Sequence, residues 1–172
     1  MRVEEKLMKS FLPFTILQPA AYMQNVLGYW NRMMRESVYA IPYSIQSRSS
    51  LVDLRDLAEV VLKIMTQPGH DYATYELCAC EPLSAEQIAA VVSQKSGKVV
   101  AAKTIDRGEW ERTMRAKQMP EHEIDMLLKM FRYYEMFDFV GNCRQLTWLL
   151  GRAPTDFATF ITQFILHQSV EE

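Results

Sequence analysis

Glycine is sparse in this chain and nowhere clustered. Six glycines, at positions 28, 69, 97, 108, 141 and 151, are spread over 172 residues. A loop that cradles a dinucleotide's phosphates brings backbone amides close to the anion, which demands glycine where side chains would collide. The chain contains no Gly-x-Gly-x-x-Gly or Gly-x-x-Gly-x-x-Gly, and no Walker A lysine, nucleophile elbow or His-Glu-x-x-His. An excess of one charge is missing too. The formal net charge is −2, with Lys and Arg interleaved among Asp and Glu, so there is no electrostatic case for nucleic acid or an anionic membrane. No run approaches the roughly 20 apolar residues that span a bilayer. The opening Met1-Arg-Val-Glu-Glu-Lys is charged and no long apolar run follows it, which argues against a signal peptide and for a cytoplasmic protein.

Cysteine and histidine are also few. Cys78, Cys80 and Cys143 suit a reduced cytosolic protein. Cys78 and Cys80 lie two apart on an expected strand, so they share a face and make a poor disulfide pair. No further ligands cluster beside them, and His70, His122 and His167 are scattered; small core cysteines and no metal site are expected.

What is present is an ordinary globular balance, 49% hydrophobic and 23% charged. The patterning gives a helix over Arg2–Phe11, stopped by Pro13, and a short buried strand over Phe14–Leu17, stopped by Pro19. A helix over Tyr22–Met34 is expected next, then short extended pieces at Tyr39–Pro42 and Ser49–Val52. Asp53 caps the clearest helix, running to Met65 with Leu57, Val60, Val61 and Ile64 inward, and Asp56 complements its dipole. Thr74–Cys80 alternates as a strand does. Ser84-Ala-Glu-Gln87 is a capping box, and its helix ends near Gly97. After a strand at Lys98–Lys103 the chain reads as helical: one helix from Asp106, a long one from Pro120 to about Phe139, a short one around Leu146–Leu150, and a last one capped by Thr155. Strands alternate with helices to residue 103 and helices follow, a pattern of the end of an α/β sheet with an appended helical part.

Several segments occur in an informative order. They are Arg2-Val-Glu-Glu, Thr15-Ile-Leu-Gln-Pro-Ala-Ala-Tyr-Met-Gln-Asn25, Val52-Asp-Leu-Arg-Asp-Leu-Ala-Glu59, Tyr75-Glu-Leu, Leu83-Ser-Ala-Glu-Gln-Ile-Ala89 and Gly151-Arg-x-Pro-x-x-Phe157. Together they resemble the second half of the NmrA-like family, atypical short-chain dehydrogenase relatives that bind NAD(P). The resemblance implies an α/β fold: the C-terminal part of a Rossmann-like parallel sheet (residues 1–103) with a mostly helical substrate-side subdomain (104–172). It implies NADP or NAD as cofactor, and either oxidoreductase activity on a small molecule, quinones among them, or a redox-sensing, regulatory role.

In that family the segment matching Pro19, Ala20, Ala21, Tyr22, Met23, Gln24 and Asn25 lines the nicotinamide side of the cleft. These seven residues are the cofactor-side candidates. Gln18 and Gln24 stand where the family often has Arg and Glu. The family's functional lysine lies upstream of the segment matching Arg2-Val-Glu-Glu, so neither Lys6 nor Lys9 takes that role. Trp110, Met114, Tyr133, Tyr134 and Phe137 are candidates for a substrate pocket between sheet and helices, although Met119 and Met130 share their helical spacing and such stripes also suit core packing. Without a Gly-rich loop the chain is expected to be catalytically incompetent alone. It would need the missing N-terminal half, or would self-associate through Phe14, Ile16 and Leu17 on an uncovered strand edge. The alternative is a non-enzymatic interaction module.

Overall fold

The computed structural model describes residues 2–168, apart from the Arg2 side chain. Helix α1 (Arg2–Met8) leads into strand β1 (Thr15–Pro19), followed by β2 (Ala21–Tyr22), α2 (Gln24–Leu27), α3 (Trp30–Glu36), β3 (Val38–Ile41), β4 (Arg48–Ser49) and β5 (Leu51–Val52). Then come α4 (Leu54–Thr66), β6 (Ala73–Leu77), β7 (Leu83–Ser84), α5 (Ala85–Ser96) and β8 (Ala101–Thr104). The rest is helical: α6 (Arg107–Ala116), α7 (Glu121–Phe137), α8 (Arg144–Leu150) and α9 (Phe157–Gln168).

Three parallel pairs define the α/β body. β1 lies on β6 with Gln18 opposite Glu76 and Pro19 opposite Leu77, β2 lies on β5, and β3 lies on β8. A short antiparallel pair, β4 with β7, completes the ladder. Parallel pairing requires crossovers, and α4 lies within the long connection that leads from β1 to its partner β6.

Local signals formed as the sequence dictates where the chemistry is local. Asp53 has extended backbone and its carboxylate accepts from the Arg55 N–H, capping α4. Ser84 and Gln87 form the complete capping box of α5, which ends on Gly97 at φ 70°. Asp106 caps α6 through the Glu109 N–H.

Non-local chemistry changed other elements. The expected single helix over Tyr22–Met34 is split. Parallel pairing with β5 draws Ala21 and Tyr22 into a strand, and the Met23 N–H donates to Val52 O (3.0 Å). The chain then breaks at Gly28, whose N–H turns back to Asn25 O (3.3 Å), before α3 starts. The first helix stops at Met8, short of Phe11. The last helix is capped not by Thr155 but by Asp156, which accepts from the Thr159 N–H (2.7 Å), because Thr155 is engaged by Asp56.

The cysteine expectation needs correction. Cys78 is a buried free thiol, as expected, but Cys80 is exposed and bonded to Cys143 in a disulfide, with Cα atoms 4.8 Å apart. The packing of α8 against β6 brings these residues together across 63 positions of sequence, which local spacing cannot show.

The main core joins Met23, Val26, Met33, Tyr39 and Ile41 to Ile88 and Val92 of α5 and to Phe157, Phe160 and Ile161 of α9. A second cluster packs Val52, Val60 and Leu77 against Leu146, Leu149 and Leu150 of α8. A third, of Trp110, Ile124 and Phe131, lies in the α6–α7 hairpin. Thus α8 and α9 return to the α/β body, and only α6 and α7 build an apolar cluster of their own. No helix among the described residues is long and apolar enough to cross a membrane.

Candidate functional site

In open α/β sheets, ligands bind beyond the carboxyl ends of parallel strands. Here that place is the end of the β1–β6 pair. A small cleft of about 30 Å³, open to solvent, lies there, lined by Gln18, Ala20, Glu76, Phe139, Val140 and Gly141. Strand alternation builds it. Leu17, Tyr75 and Leu77 point into the second cluster with α4 and α8, so Gln18 and its register partner Glu76 face the other way. The Gln18 amide donates to Glu4 of α1 (3.1 Å).

The wall opposite β1 is the strap between α7 and α8. It opens on Asp138, which has φ 57°, and several of its polar groups have defined anchors. Asp138 Oδ1 accepts from the Arg48 N–H (2.8 Å). Phe139 pairs with Ser49 as an isolated bridge, its N–H donating to Arg48 O and its carbonyl accepting from Ser50 N, both at 2.8 Å. The Gly141 N–H donates to Ser50 Oγ (3.1 Å), and the Asn142 N–H to Glu76 Oε2 (3.1 Å). The Glu76 N–H is taken by Gln145 Oε1 (2.7 Å). Gly141 is obligatory for contact rather than conformation: a Cβ there would stand 2.5 Å from Glu76 Oε1 and 3.0 Å from Cys78 Sγ. Burial pushes the Cys78 thiol up, the Glu76 charge adds to this, and a hydrogen bond with Ser50 offsets part of it.

The seven cofactor-side candidates occupy different environments. Pro19 closes β1, and Ala20 lines the cleft while its N–H donates to Leu77 O (2.9 Å). Ala21 and Tyr22 form β2, half-buried. Met23 is a core residue, 1% exposed. Gln24 faces inward on α4: its amide donates to Asp53 Oδ1 (2.8 Å) and its oxygen accepts from the Leu54 N–H (3.3 Å). Asn25 is exposed. Asp53 is wholly buried. Burial pushes its carboxyl up, but hydrogen bonds from Arg55 and Gln24 outweigh that and hold it below the usual carboxylate range.

The five pocket candidates also separate. Trp110 and Met114 belong to the hairpin cluster, with the Trp110 ring edge-on to Phe131 at 5.0 Å. Tyr133 and Phe137 form an exposed pair, ring centroids 5.1 Å apart. Tyr134 alone reaches the cleft wall, stacked on Phe139 at 5.3 Å and edge-on to Tyr43 at 5.6 Å. Burial pushes the phenols of Tyr43 and Tyr134 up, in Tyr43 with added repulsion from Tyr29 and Tyr134, so both stay protonated well into alkaline pH. Sequence reasoning missed Glu76, Phe139 and Gln145 as parts of the site. The signals in the sequence were Glu76 within the quoted Tyr75-Glu-Leu and Phe139 at the expected end of the long helix.

A phosphate cradle would show as glycine amides turned toward the cleft. The glycines with positive φ are Gly69, Gly97 and Gly151, none beside the cleft, and no phosphate cradle is formed among the described residues. No group of three or more His, Cys, Asp or Glu is placed to hold a metal among the described residues.

Parallel strands crossed over by helices, with a cleft at their carboxyl ends, place the chain in the Rossmann-like class of α/β proteins. Within that class it belongs to the NmrA-like family, whose model matches residues 1–162. It is 26% identical over 157 residues to the NAD(P)H azoreductase of Xenophilus azovorans, covering 91% of this chain and 54% of that protein. The NADPH-dependent quinone oxidoreductase of Escherichia coli, solved with NADPH, superposes with a TM-score of 0.82 at 20% identity, over 94% of this chain and 57% of that one. NmrA, a negative transcriptional regulator solved with NAD, superposes at 0.70 with 14% identity, over 98% and 58%. The chain therefore spans about half the length of the relatives it matches.

Proposed function

We propose that this chain forms the nicotinamide-side and substrate-side portion of an NAD(P)-dependent oxidoreductase or redox sensor, with the cofactor's phosphates held by residues outside this sequence. The observation that carries the reading is the position of Ala20, just beyond the carboxyl end of a parallel pair and lining the cleft. In this reading Pro19, Ala20 and Ala21 are the surface offered to the nicotinamide ring. Met23 and Gln24 hold that segment from behind, through the core and through Asp53, and Tyr22 and Asn25 flank it. The chemistry that bound NAD(P)H supplies is hydride transfer. Phe139, backed by Tyr134, offers an aromatic face for a flat, conjugated acceptor. Similarity to proteins named as an azoreductase and a quinone oxidoreductase supports that substrate class.

The purified chain should bind NADPH weakly and reduce no quinone by itself, because most affinity for a dinucleotide resides at its phosphates. Calorimetric titration with NADPH and with nicotinamide mononucleotide tests this. Comparably weak binding of the two supports the reading, and sub-micromolar NADPH binding overturns it.

A specific observation favours a second reading, an interaction module. Phe11 is 102% exposed and Val3 79%, with Met8 and Leu12 beside them. Among the described residues β1 pairs only with β6. Such a surface favours self-association or a partner that adds to the sheet. Sedimentation velocity showing a stable monomer at high concentration would sink this reading.

A further inference from the structure

The Cys80–Cys143 pair plays no part in the reading above, and its position carries a function of its own. Its two residues come from different parts of the fold: Cys80 just beyond β6, and Cys143 at the start of α8, where the cleft's strap ends. Cys80 is exposed, so a small thiol from solvent can approach it, whereas Cys143 is half-buried. The third cysteine does not compete. Cys78 is buried, hydrogen-bonded with Ser50 and held as a neutral thiol, and only a thiolate attacks a disulfide.

We propose that Cys80–Cys143 is a thiol–disulfide exchange site for small thiols of the glutathione class, and that its state decides whether the Asp138–Cys143 strap is fastened onto the cleft. The exchange runs in two balanced steps. A glutathione thiolate attacks the Cys80 sulfur, the bond to Cys143 breaks, and the electron pair leaves on Cys143, which takes a proton. A second thiolate then attacks the glutathione sulfur of the mixed disulfide, releasing Cys80 as a thiol and oxidised glutathione. The net change is one protein disulfide and two glutathiones to one protein dithiol and one oxidised glutathione.

The effect on the cleft follows from what else holds the strap. With the disulfide formed, Gly141 is pressed against Glu76 and Cys78 between two fixed points, the Phe139–Ser49 bridge and Cys143. With the disulfide reduced, α8 stays packed on the body with Gln145 on Glu76, while the stretch between Phe139 and α8 keeps the part-buried hydrogen bond of Gly141 to Ser50 and that of Asn142 to Glu76, which is exposed to competing water. The strap's amides are then expected to open more often without unfolding of the body.

The experiment needs neither cofactor nor activity, so its outcome is independent of the nicotinamide reading. The chain is equilibrated in buffers of varied reduced-to-oxidised glutathione ratio, quenched by alkylation and mapped by mass spectrometry. Hydrogen exchange is followed in parallel. The expected result is that Cys80 and Cys143 lose alkylation together as the ratio falls, while Cys78 reacts only after denaturation. Exchange at Gly141 and Asn142 should be slower in the oxidised chain by on the order of tenfold, with Phe139 and α5 unchanged. C80A and C143A should show the fast pattern at every ratio, and C78A should behave as the parent. Alkylation of Cys80 and Cys143 that persists in oxidised glutathione overturns the exchange site. Oxidation without slowed strap exchange overturns the fastening. Should either alanine variant fail to fold, the parent chain's own titration still decides.

Discussion

Replacing Asp56 with alanine should be among the most destabilising changes available on this surface. Asp56 is 1% exposed at the start of α4. Its carboxylate accepts from the Thr155 N–H (2.6 Å), the Thr155 hydroxyl (3.1 Å) and Arg152 (2.8 Å). This is the physical content of the Gly151-Arg-x-Pro-x-x-Phe157 pattern: the loop between α8 and α9 is fastened to α4 by one buried acid. In Asp56→Ala the Thr155 amide loses its partner in a half-buried place, a cost of about 1–3 kcal/mol. The hydroxyl can turn to water and loses about 1 kcal/mol. Arg152 is half-exposed and keeps Glu59 (2.6 Å), so its share is at most about 1 kcal/mol. The expected total is about 2–5 kcal/mol, read as a lower urea midpoint at pH 7 with little change in slope. Arg152→Ala should cost no more than about 1 kcal/mol and Thr155→Val about 1 kcal/mol, the latter non-additive with Asp56→Ala. A loss below about 1 kcal/mol for Asp56→Ala, or an Arg152→Ala loss equal to it, would refute the assignment of the loop's anchorage to this carboxylate.

Three further outcomes are expected. Gly141→Ala should displace the strap and cost about 1–3 kcal/mol, since its Cβ would meet Glu76 at 2.5 Å and Cys78 at 3.0 Å; unaltered hydrogen exchange at Phe139 and Asn142 in that variant would contradict the contact. Asp53 has a folded carboxyl below its ordinary range, because hydrogen bonds from Arg55 and Gln24 overcome burial. Its contribution is therefore complete above about pH 4 and fades as pH falls through the lower folded value, so Asp53→Asn should flatten the acid side of the urea-midpoint profile, and a parallel profile counts against it. Tyr29, Tyr39, Tyr43 and Tyr134 are pushed up by burial. Their contribution is present below about pH 10 and falls as pH rises past it, so ultraviolet titration should show these four of eight tyrosines ionising only with alkaline unfolding, and smooth ionisation of all eight would be the contrary result.

How much could be read in advance divides by the range of the forces involved. The caps at Asp53, Ser84 and Asp106 were legible because a cap joins groups within three residues. The strand at Ala21–Tyr22 was not, because it exists only through pairing with Leu51–Val52. The cleft shows the same division. Its β1 side is lined by Gln18 and Ala20, both inside a segment that the ordered family pattern had singled out. Its other wall depends on Phe139 meeting Ser49 and on Gly141 meeting Glu76, contacts between residues 90 and 65 positions apart. The aromatic stripe of α6 and α7 was visible as a stripe, but its period could not say which residues face the cleft. Trp110 turned to the hairpin's own cluster, while Tyr134 turned to Phe139.

The return of α9 to the α/β body has a consequence for synthesis. Phe157, Phe160 and Ile161 close the main core over Ile88 and Val92 of α5. Some 60 residues separate the two halves of that contact, so at ordinary translation rates the apolar face of α5 waits about 3–12 s for its cover. During that interval the nascent chain holds a bare helix face beside unfinished parallel pairs, the kind of surface that holdase chaperones bind. Slow decoding between residues 104 and 156 would lengthen the exposure, and fast decoding there would favour the folded chain without altering a single residue of it.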